Sequence, residues 1–122
     1  MGELNINVLL GKRLSAVGMS ADKDQIDFTA SDGERFRMYH SQDCCESVYV
    51  EDVAGDFADL IGNDILMAEE STNSKDPVPE HAYESFTWTF YKLSTIKGSV
   101  TIRWLGSSNG YYSESVSFAR MP

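Results

Sequence analysis

Residues 86–104, FTWTFYKLSTIKGSVTIRW, decide the fold class, because two alternating stretches flank one short turn. Aromatic residues alternate with smaller or polar ones in the first stretch, and aliphatic residues alternate with polar ones in the second. A period of two residues is typical of a half-buried β-strand, and the turn at 96–99 contains a glycine. The stretch therefore predicts an antiparallel hairpin. Its predicted inward residues are Phe86, Trp88, Phe90, Val100, Ile102 and Trp104.

The rest of the chain continues this pattern of short strands and turns. Strands are predicted over 14–19, 26–30, 35–40, 47–51 and 65–68, with an Asp32-Gly33 hairpin between the second and third. An Asn109-Gly110 hairpin is predicted before the final strand, on which Tyr112, Glu114, Val116 and Phe118 share a face. One short helix is predicted from Phe57 to Ile61, with Asp56 as its N-cap and Gly62 just past its end. A long mobile loop is predicted over 69–84, where two prolines interrupt a polar stretch.

These elements predict one domain over residues 1–122. The fold class is mostly β (α+β), an antiparallel curled sheet or sandwich of seven or eight strands with one short helix. The length leaves no room for a second core, and the hydrophobic fraction of 42% is sufficient for one. No apolar run is long enough to span a bilayer, and polar residues interrupt the start of the chain, so a cytoplasmic location is expected.

Negative charge is concentrated in the middle of the chain. Residues 1–42 carry five bases and six acids (−1), residues 43–84 one base and twelve acids (−11), and residues 85–122 four bases and one acid (+3), which sum to −9. The acidic middle third would repel nucleic acid phosphates, so direct DNA or RNA binding is not expected there. A basic protein surface or a ligand held by the less acidic remainder is the partner that this pattern permits.

Reactive side chains are densest at residues 40–46, HSQDCCE. The cluster permits a metal site, a cysteine–histidine nucleophile, a structural role with His40 facing inward, or binding of a polar small ligand. Ligand spacing typical of zinc is missing, and no nucleophile elbow is visible. Cys44 and Cys45 are adjacent and cannot cross-link distant parts of the chain, so two reduced thiols are expected. No metal, cofactor or catalytic residue is predicted.

Aromatic, cationic and amide side chains near the end of the chain form a second constellation. Together they have the chemistry that recognises a nucleotide: stacking for the base, charge for the phosphates and hydrogen bonds for the base edge. Trp88 and Trp104 are in the inward phase, whereas Tyr91, Arg103 and Tyr111 are expected on other faces. The predicted ligand-binding residues from both constellations are His40, Gln42, Asp43, Glu46, Tyr91, Arg103, Asn109, Tyr111 and Tyr112.

Several strings in the chain resemble a family of small, uncharacterised tailed-phage proteins. The His-x-Gln-Asp-Cys-Cys-Glu string at 40–46 is the most specific, and Gly55-Asp56, Asp59-Leu60-Ile61-Gly62, Thr101-Ile102-Arg103-Trp104 and Ser108-Asn109-Gly110-Tyr111-Tyr112 are similar to the same family. The resemblance extends from about Phe28 to Phe118. It implies a phage accessory gene that acts inside a bacterial cell, and it implies no known activity.

Small phage accessory proteins of this kind often counter host defence, and this resemblance leads to two functional hypotheses. In the first, the domain forms a homodimer or higher homo-oligomer and sequesters a small nucleotide-type immune signal without cleaving it. In the second, the acidic middle third imitates a polyanion and inhibits a host defence nuclease or effector. The aromatic and arginine residues favour the first, which is the predicted function, and the segment of charge −11 favours the second, which is the alternative. An enzyme acting on a nucleotide has less support, because nothing selects one pair from nineteen acids.

Overall fold

A computed structural model describes residues 3–80 and 84–122 of the chain. Eight β-strands and two 3₁₀ helices make up its regular structure. The 3₁₀ helices are Ile6–Leu9 and Phe57–Leu60. The strands are β1 (Leu14–Met19), β2 (Gln25–Ala30), β3 (Arg35–Tyr39), β4 (Ser47–Ala54), β5 (Met67–Asn73), β6 (Ser85–Thr95), β7 (Gly98–Ser108) and β8 (Ser117–Met121).

The strands form two four-stranded sheets in which every pairing is antiparallel. The first sheet has the order β1-β2-β3-β8 and the second the order β4-β7-β6-β5. Side chains of both sheets contribute to one hydrophobic core, so the architecture is sandwich-like. This confirms the mostly β, antiparallel prediction.

Two of the predicted hairpins are present. Asp32-Gly33 lies between β2 and β3, where Gly33 has a φ of +93° that a residue with a Cβ rarely adopts. The second hairpin joins β6 to β7, and Thr95 pairs with Gly98 at its end. β1 also has the bounds predicted for it. Local turn chemistry and alternation were sufficient in these segments because each hairpin pairs neighbours in the chain.

Aromatic rings fill the centre of the core. Phe118 on β8 stacks on Phe36 at a centroid distance of 5.6 Å and meets Phe28 edge-on at 5.9 Å. From the second sheet, Trp104 is fully buried, and its indole N–H lies 3.2 Å from the sulfur of Met38. These contacts join the two sheets and fix β8, the last strand, against the first sheet.

The helix prediction needs correction. Phe57–Leu60 is a 3₁₀ helix of four residues, and the described residues contain no α-helix. Asp56 caps it as predicted, since its carboxylate accepts a hydrogen bond from the N–H of Ala58 at 2.9 Å. Four residues between turn-forming neighbours are too few for a stable α-helical hydrogen-bond ladder, so the tighter turn forms.

The face assigned to β6 was wrong. Thr89, Tyr91 and Leu93 pair with core residues of β7 and point inward. Trp88 therefore lies on the outer face, where it is nonetheless only 5% exposed. Strict alternation fixes which residues share a face, but large apolar groups occur in both phases of β6, so the period could not show which phase faces the core.

The predicted loop over 69–84 is partly a strand. β5 covers Met67–Asn73, so residues 69–73 pair with β6. Its sequence lacks an apolar alternation because it is an edge strand with five consecutive exposed residues. Residues 81–83 of the predicted loop lie outside the described residues.

The Asn109-Gly110 hairpin also differs from the prediction. The dipeptide does form a turn, in which the Asn109 side chain accepts from the N–H of Tyr111 at 3.0 Å and Gly110 has a φ of +95°. However, β7 belongs to the second sheet, and β8 pairs with β3 in the first. Residues 109–116 thus cross between the sheets, and Tyr112 and Glu114 are on this connection rather than on the final strand. A turn signal sets local backbone geometry and leaves the partner of the next strand open.

Candidate functional site

The carboxylate of Glu46 organises the loop that joins β3 to β4. It accepts hydrogen bonds from Nε2 of His40 at 2.8 Å and from the backbone N–H groups of Asp43 and Cys44, both at 2.9 Å. The side chain is fully buried. The side-chain amide of Gln42 donates to the backbone carbonyl of Glu46 at 2.8 Å. The structure thus brings four predicted residues, His40, Gln42, Asp43 and Glu46, into one loop.

These donors change the acidity of Glu46. The hydrogen bond from His40, followed by that from the N–H of Cys44, lowers the pKa of Glu46 from 4.5 to about 2. The carboxylate therefore remains ionised throughout the neutral and mildly acidic range. A buried negative charge is stable here because several donors surround it.

His40 connects this loop to the chain segment that crosses between the sheets. Its Nδ1 lies 2.6 Å from the backbone carbonyl of Ser115, and its side chain is only 4% exposed. Both ring nitrogens are thus occupied within the protein. This geometry favours the structural interpretation of the cluster over a cysteine–histidine nucleophile, because His40 has no nitrogen available to activate a thiol.

The two cysteines differ from the prediction. Cys44 and Cys45 are joined by a disulfide between chain neighbours, where two reduced thiols were expected. Adjacency prevents a link between distant segments, but it does not prevent neighbours from bonding with each other. Among the residues of 3–80 and 84–122, no group of three or more histidine, cysteine or acidic side chains is arranged to hold a metal ion.

Arg103 lies on the outer face of the second sheet and is already paired. Its Nε donates to the carboxylate of Glu51 at 2.5 Å, and its guanidinium lies 5.1 Å from the ring centroid of Trp88. A cavity of about 340 Å³ on this face is lined by Tyr49, Glu51 and Trp88, among others. The positive charge predicted to bind phosphate is therefore balanced by a neighbouring carboxylate.

The remaining predicted residues are dispersed. Tyr91 is fully buried in the core, so the expectation that it lies on an outer face was wrong. Asn109 is exposed and serves its turn, and Tyr111 is 89% exposed. Tyr112 is half-buried and lines a different cavity from the one beside Arg103. The second constellation does not converge on one surface.

The cavity beside Tyr112 lies where the inner face of β5 and β6 meets the crossing segment. It has a volume of about 270 Å³. Two carboxylates and several hydroxyls surround it, which is a polar lining that the sequence analysis did not identify. The sequence did contain a signal, because Thr87 and Thr89 lie on one face of β6. That face was predicted to point away from the core, so the two hydroxyls were not placed in a site. The polar lining residues are Glu70, Thr72, Ser85, Thr87, Thr89, Tyr112, Glu114 and Ser115.

Fold and site together define a sandwich-like antiparallel β domain with an internally bonded His40–Glu46 loop and an acidic, hydroxyl-lined cavity at one end. A family model described as a domain of unknown function (DUF7448) matches residues 7–118, and the chain belongs to this family. No curated protein and no solved structure matches the chain. In the described part of the chain, no helix has the length and apolar character needed to cross a membrane.

Proposed function

We propose that this chain is a phage accessory protein whose acidic surface binds a basic surface of a host defence nuclease or effector. The supporting observation is the ion pairing of the twelve acids between residues 43 and 84. Between residues that the structure describes, ion pairs engage three of them, Glu46, Glu51 and Asp64. Most of the negative charge is thus left for a partner, and a basic protein surface is complementary to it.

Phosphate-bearing ligands fit the surfaces beside Arg103 and Tyr112 less well. The guanidinium of Arg103 is balanced by Glu51, and the cavity beside Tyr112 contains the carboxylates of Glu70 and Glu114. Carboxylates repel phosphates, and the cavity beside Tyr112 has no cation in its lining. The acidic inhibitor is therefore the hypothesis that the geometry favours.

Neutralising four exposed acids tests this proposal. We expect a variant with D52N, E69Q, D76N and E80Q, whose net charge rises from −9 to −5 because four negative charges are removed, to lose counter-defence activity. Each exposed charge pair contributes up to about 1 kcal/mol, so four together weaken binding by roughly tenfold or more. The measurement is the plating efficiency of a defence-sensitive phage on bacteria that carry the defence system and express each variant.

Arg103→Ala is the matched comparison in the same assay. It removes a positive side chain from the outer face and is expected to retain activity, provided that its thermal unfolding shows a folded protein. If Arg103→Ala loses activity while the four-acid variant keeps it, the acidic inhibitor is rejected and nucleotide sequestration is supported.

Nucleotide sequestration remains the second candidate because of the cavity next to Arg103. Its volume of about 340 Å³ is within the range of small-molecule sites, and Tyr49 and Trp88 provide aromatic surface. Protein co-expressed with a defence system would then release a nucleotide in stoichiometric amount on heat denaturation, as measured by mass spectrometry. Light scattering would test the homodimer or higher homo-oligomer that this hypothesis includes. A protein that releases no nucleotide would contradict sequestration.

A further inference from the structure

One outer strand, β5, differs from the other three in what borders it. The outer strands of the two sheets are β1, β8, β4 and β5. A bridge joins β1 to residue 61, another joins β8 to residue 3, and the N–H of Val50 on β4 donates to the carbonyl of Lys23 at 2.7 Å. From Glu69 to Asn73, the backbone of β5 is hydrogen-bonded to β6 alone within the described residues. The unpaired side of this stretch is called the open edge below.

The register with β6 shows which backbone groups lie on the open edge. Successive residues of an antiparallel strand direct their N–H and C=O groups to opposite sides. The carbonyl of Ser94 on β6 accepts from the N–H of Leu66 at 2.8 Å, so every second residue of β6 faces β5. Glu70 and Thr72 therefore direct their N–H and C=O groups away from the sheet. The residues of β5 that bond to β6 are 67, 69, 71 and 73.

These outward groups are accessible to another chain. Ala68 is only 5% exposed, and the beginning of β5 lies next to the 3₁₀ helix Ile6–Leu9. From residue 69 onward all five residues of β5 are exposed. The two N–H and two C=O groups of Glu70 and Thr72 can thus pair with an extended segment, as the free side of a sheet commonly does.

Charge on both faces of β5 indicates which segment fits. Adjacent side chains of a strand project to opposite faces, so Glu69 and Glu70 place one carboxylate on each face beside the open edge. Lys92 lies opposite Glu69 on β6, yet neither carboxylate forms an ion pair within the described residues. A strand with two consecutive basic residues would place one cation on each face, opposite these acids.

A second copy of the chain fits the open edge less well. If two β5 strands overlapped fully in antiparallel register, Met67 would face Asn73 and Glu70 would face Glu70 of the other copy. Like charges directly opposite each other destabilise a strand pair, and each copy has a net charge of −9. The charges of β5 therefore favour a basic strand over a second copy.

We propose that the open edge of β5 binds an extended segment of the basic partner as an additional strand, with two consecutive arginine or lysine residues opposite Glu69 and Glu70. The inference rests on the proposed function, because it names how a basic partner is bound. Backbone hydrogen bonds to Glu70 and Thr72 provide affinity that does not depend on side chains, and the two carboxylates select a basic strand over an acidic one.

Hydrogen exchange with a capped peptide of sequence Thr-Val-Thr-Arg-Arg-Thr-Val tests the proposal. In the free chain, we expect rapid exchange of the N–H groups of Glu70 and Thr72 and slower exchange of the N–H groups of Glu69 and Ser71, which bond to β6. The peptide should slow the exchange of Glu70 and Thr72. The same peptide with Glu-Glu in place of Arg-Arg should produce no slowing.

N-methylation of the peptide separates strand pairing from charge attraction while leaving the protein unchanged. Only alternate N–H groups of an added strand point towards β5. Methylating the N–H groups of one alternate set should weaken binding by roughly tenfold or more, because two hydrogen bonds are lost. Methylating the other set should leave binding nearly unchanged.

Two substitutions at Thr72 test the protein side. Thr72→Pro removes an outward N–H without removing a hydrogen bond to β6, and it should weaken peptide binding about fivefold. Thr72→Ala is the matched control, since it shortens the side chain but keeps the N–H, and it should bind like the unmodified chain. Thermal unfolding confirms that both variants are folded.

Substitutions of single acids test the charge selection. Glu70→Gln should weaken binding of the Arg-Arg peptide about twofold to fivefold, the range for one exposed charge pair. Asp22→Asn is the control: it removes an exposed charge from the turn between β1 and β2 and should have no such effect.

Four results would overturn the assignment. The first is no binding of the peptide to the folded, unmodified chain. The second is binding without slower exchange at Glu70 and Thr72, and the third is equal weakening by both N-methylated peptides; each would show attraction by charge without strand pairing. The fourth is a dimer in light scattering in which Glu70 and Thr72 are already protected, which would assign the open edge to a second copy.

The outcome is separable from the test of the proposed function, because Thr72→Pro leaves every acid in place. If the four-acid variant loses counter-defence activity but the unmodified chain does not pair with the peptide, the proposed function stands and the open-edge assignment fails. If the peptide pairs with β5 but the four-acid variant keeps its activity, the open-edge assignment stands and the proposed function fails.

Discussion

Replacing Phe118 with alanine is expected to lower the free energy of unfolding by about 3–5 kcal/mol, the usual cost of removing a buried aromatic side chain. Phe118 is 2% exposed, and its ring contacts Phe36 and Phe28 at centroid distances of 5.6 and 5.9 Å. Domains of this size are stable by only about 5–15 kcal/mol, so the variant would be close to unfolding. Urea denaturation followed by tryptophan fluorescence measures the change.

Tyr111→Ala is the control for this prediction. It also deletes an aromatic ring, but Tyr111 is 89% exposed, and its replacement should change the free energy of unfolding by less than about 0.5 kcal/mol. Equal midpoints for the two variants would contradict the assignment of Phe118 to the core. The position also affects the candidate site, since β8 follows the crossing segment directly and fixes its end against β3.

The parts of the fold that the sequence predicted are those in which neighbours in the chain interact. The Asp32-Gly33 and 96–99 turns each connect strands that pair with each other. The turn residues and the alternation on either side are therefore sufficient to predict each pair of strands. Asn109-Gly110 has the same local signal, yet the following strand pairs with β3 in the other sheet. Which distant strand becomes the partner depends on packing between the sheets, and no short stretch of sequence encodes it.

The same distinction explains which residues of the site were identified. Residues 40–46 are contiguous, so their reactive side chains stand out in the sequence, and the structure places them in one hydrogen-bonded loop. The cavity combines β5, β6 and the crossing segment, which are far apart in the chain. Glu69 and Glu70 are neighbours of the same type, and only the register with β6 shows that Glu70 is the one paired with buried Tyr91.

Glu46→Gln is expected to remove a large part of the acid sensitivity of the fold. In the folded chain the pKa of Glu46 is lowered to about 2, whereas the unfolded side chain has a pKa of 4.5. The carboxylate therefore contributes its full stabilisation above pH 4.5. As the pH falls from 4.5 towards 2, the unfolded chain binds a proton that the folded chain does not, so this contribution is progressively lost.

Urea midpoints measured at several pH values between 2 and 7 test this linkage. Relative to Glu46→Gln, the unmodified chain should lose stability more steeply between pH 4.5 and 2, with a difference in slope that approaches one proton. At pH 7 the variant should be clearly less stable, because the amide must replace the acceptor of His40 and of two backbone N–H groups. Glu69→Gln changes an exposed side chain of similar length and should leave both the slope and the neutral-pH stability nearly unchanged. Parallel pH profiles for Glu46→Gln and the unmodified chain would show that His40 and the loop N–H groups do not hold an ionised carboxylate, and the structural interpretation of residues 40–46 would fail with them.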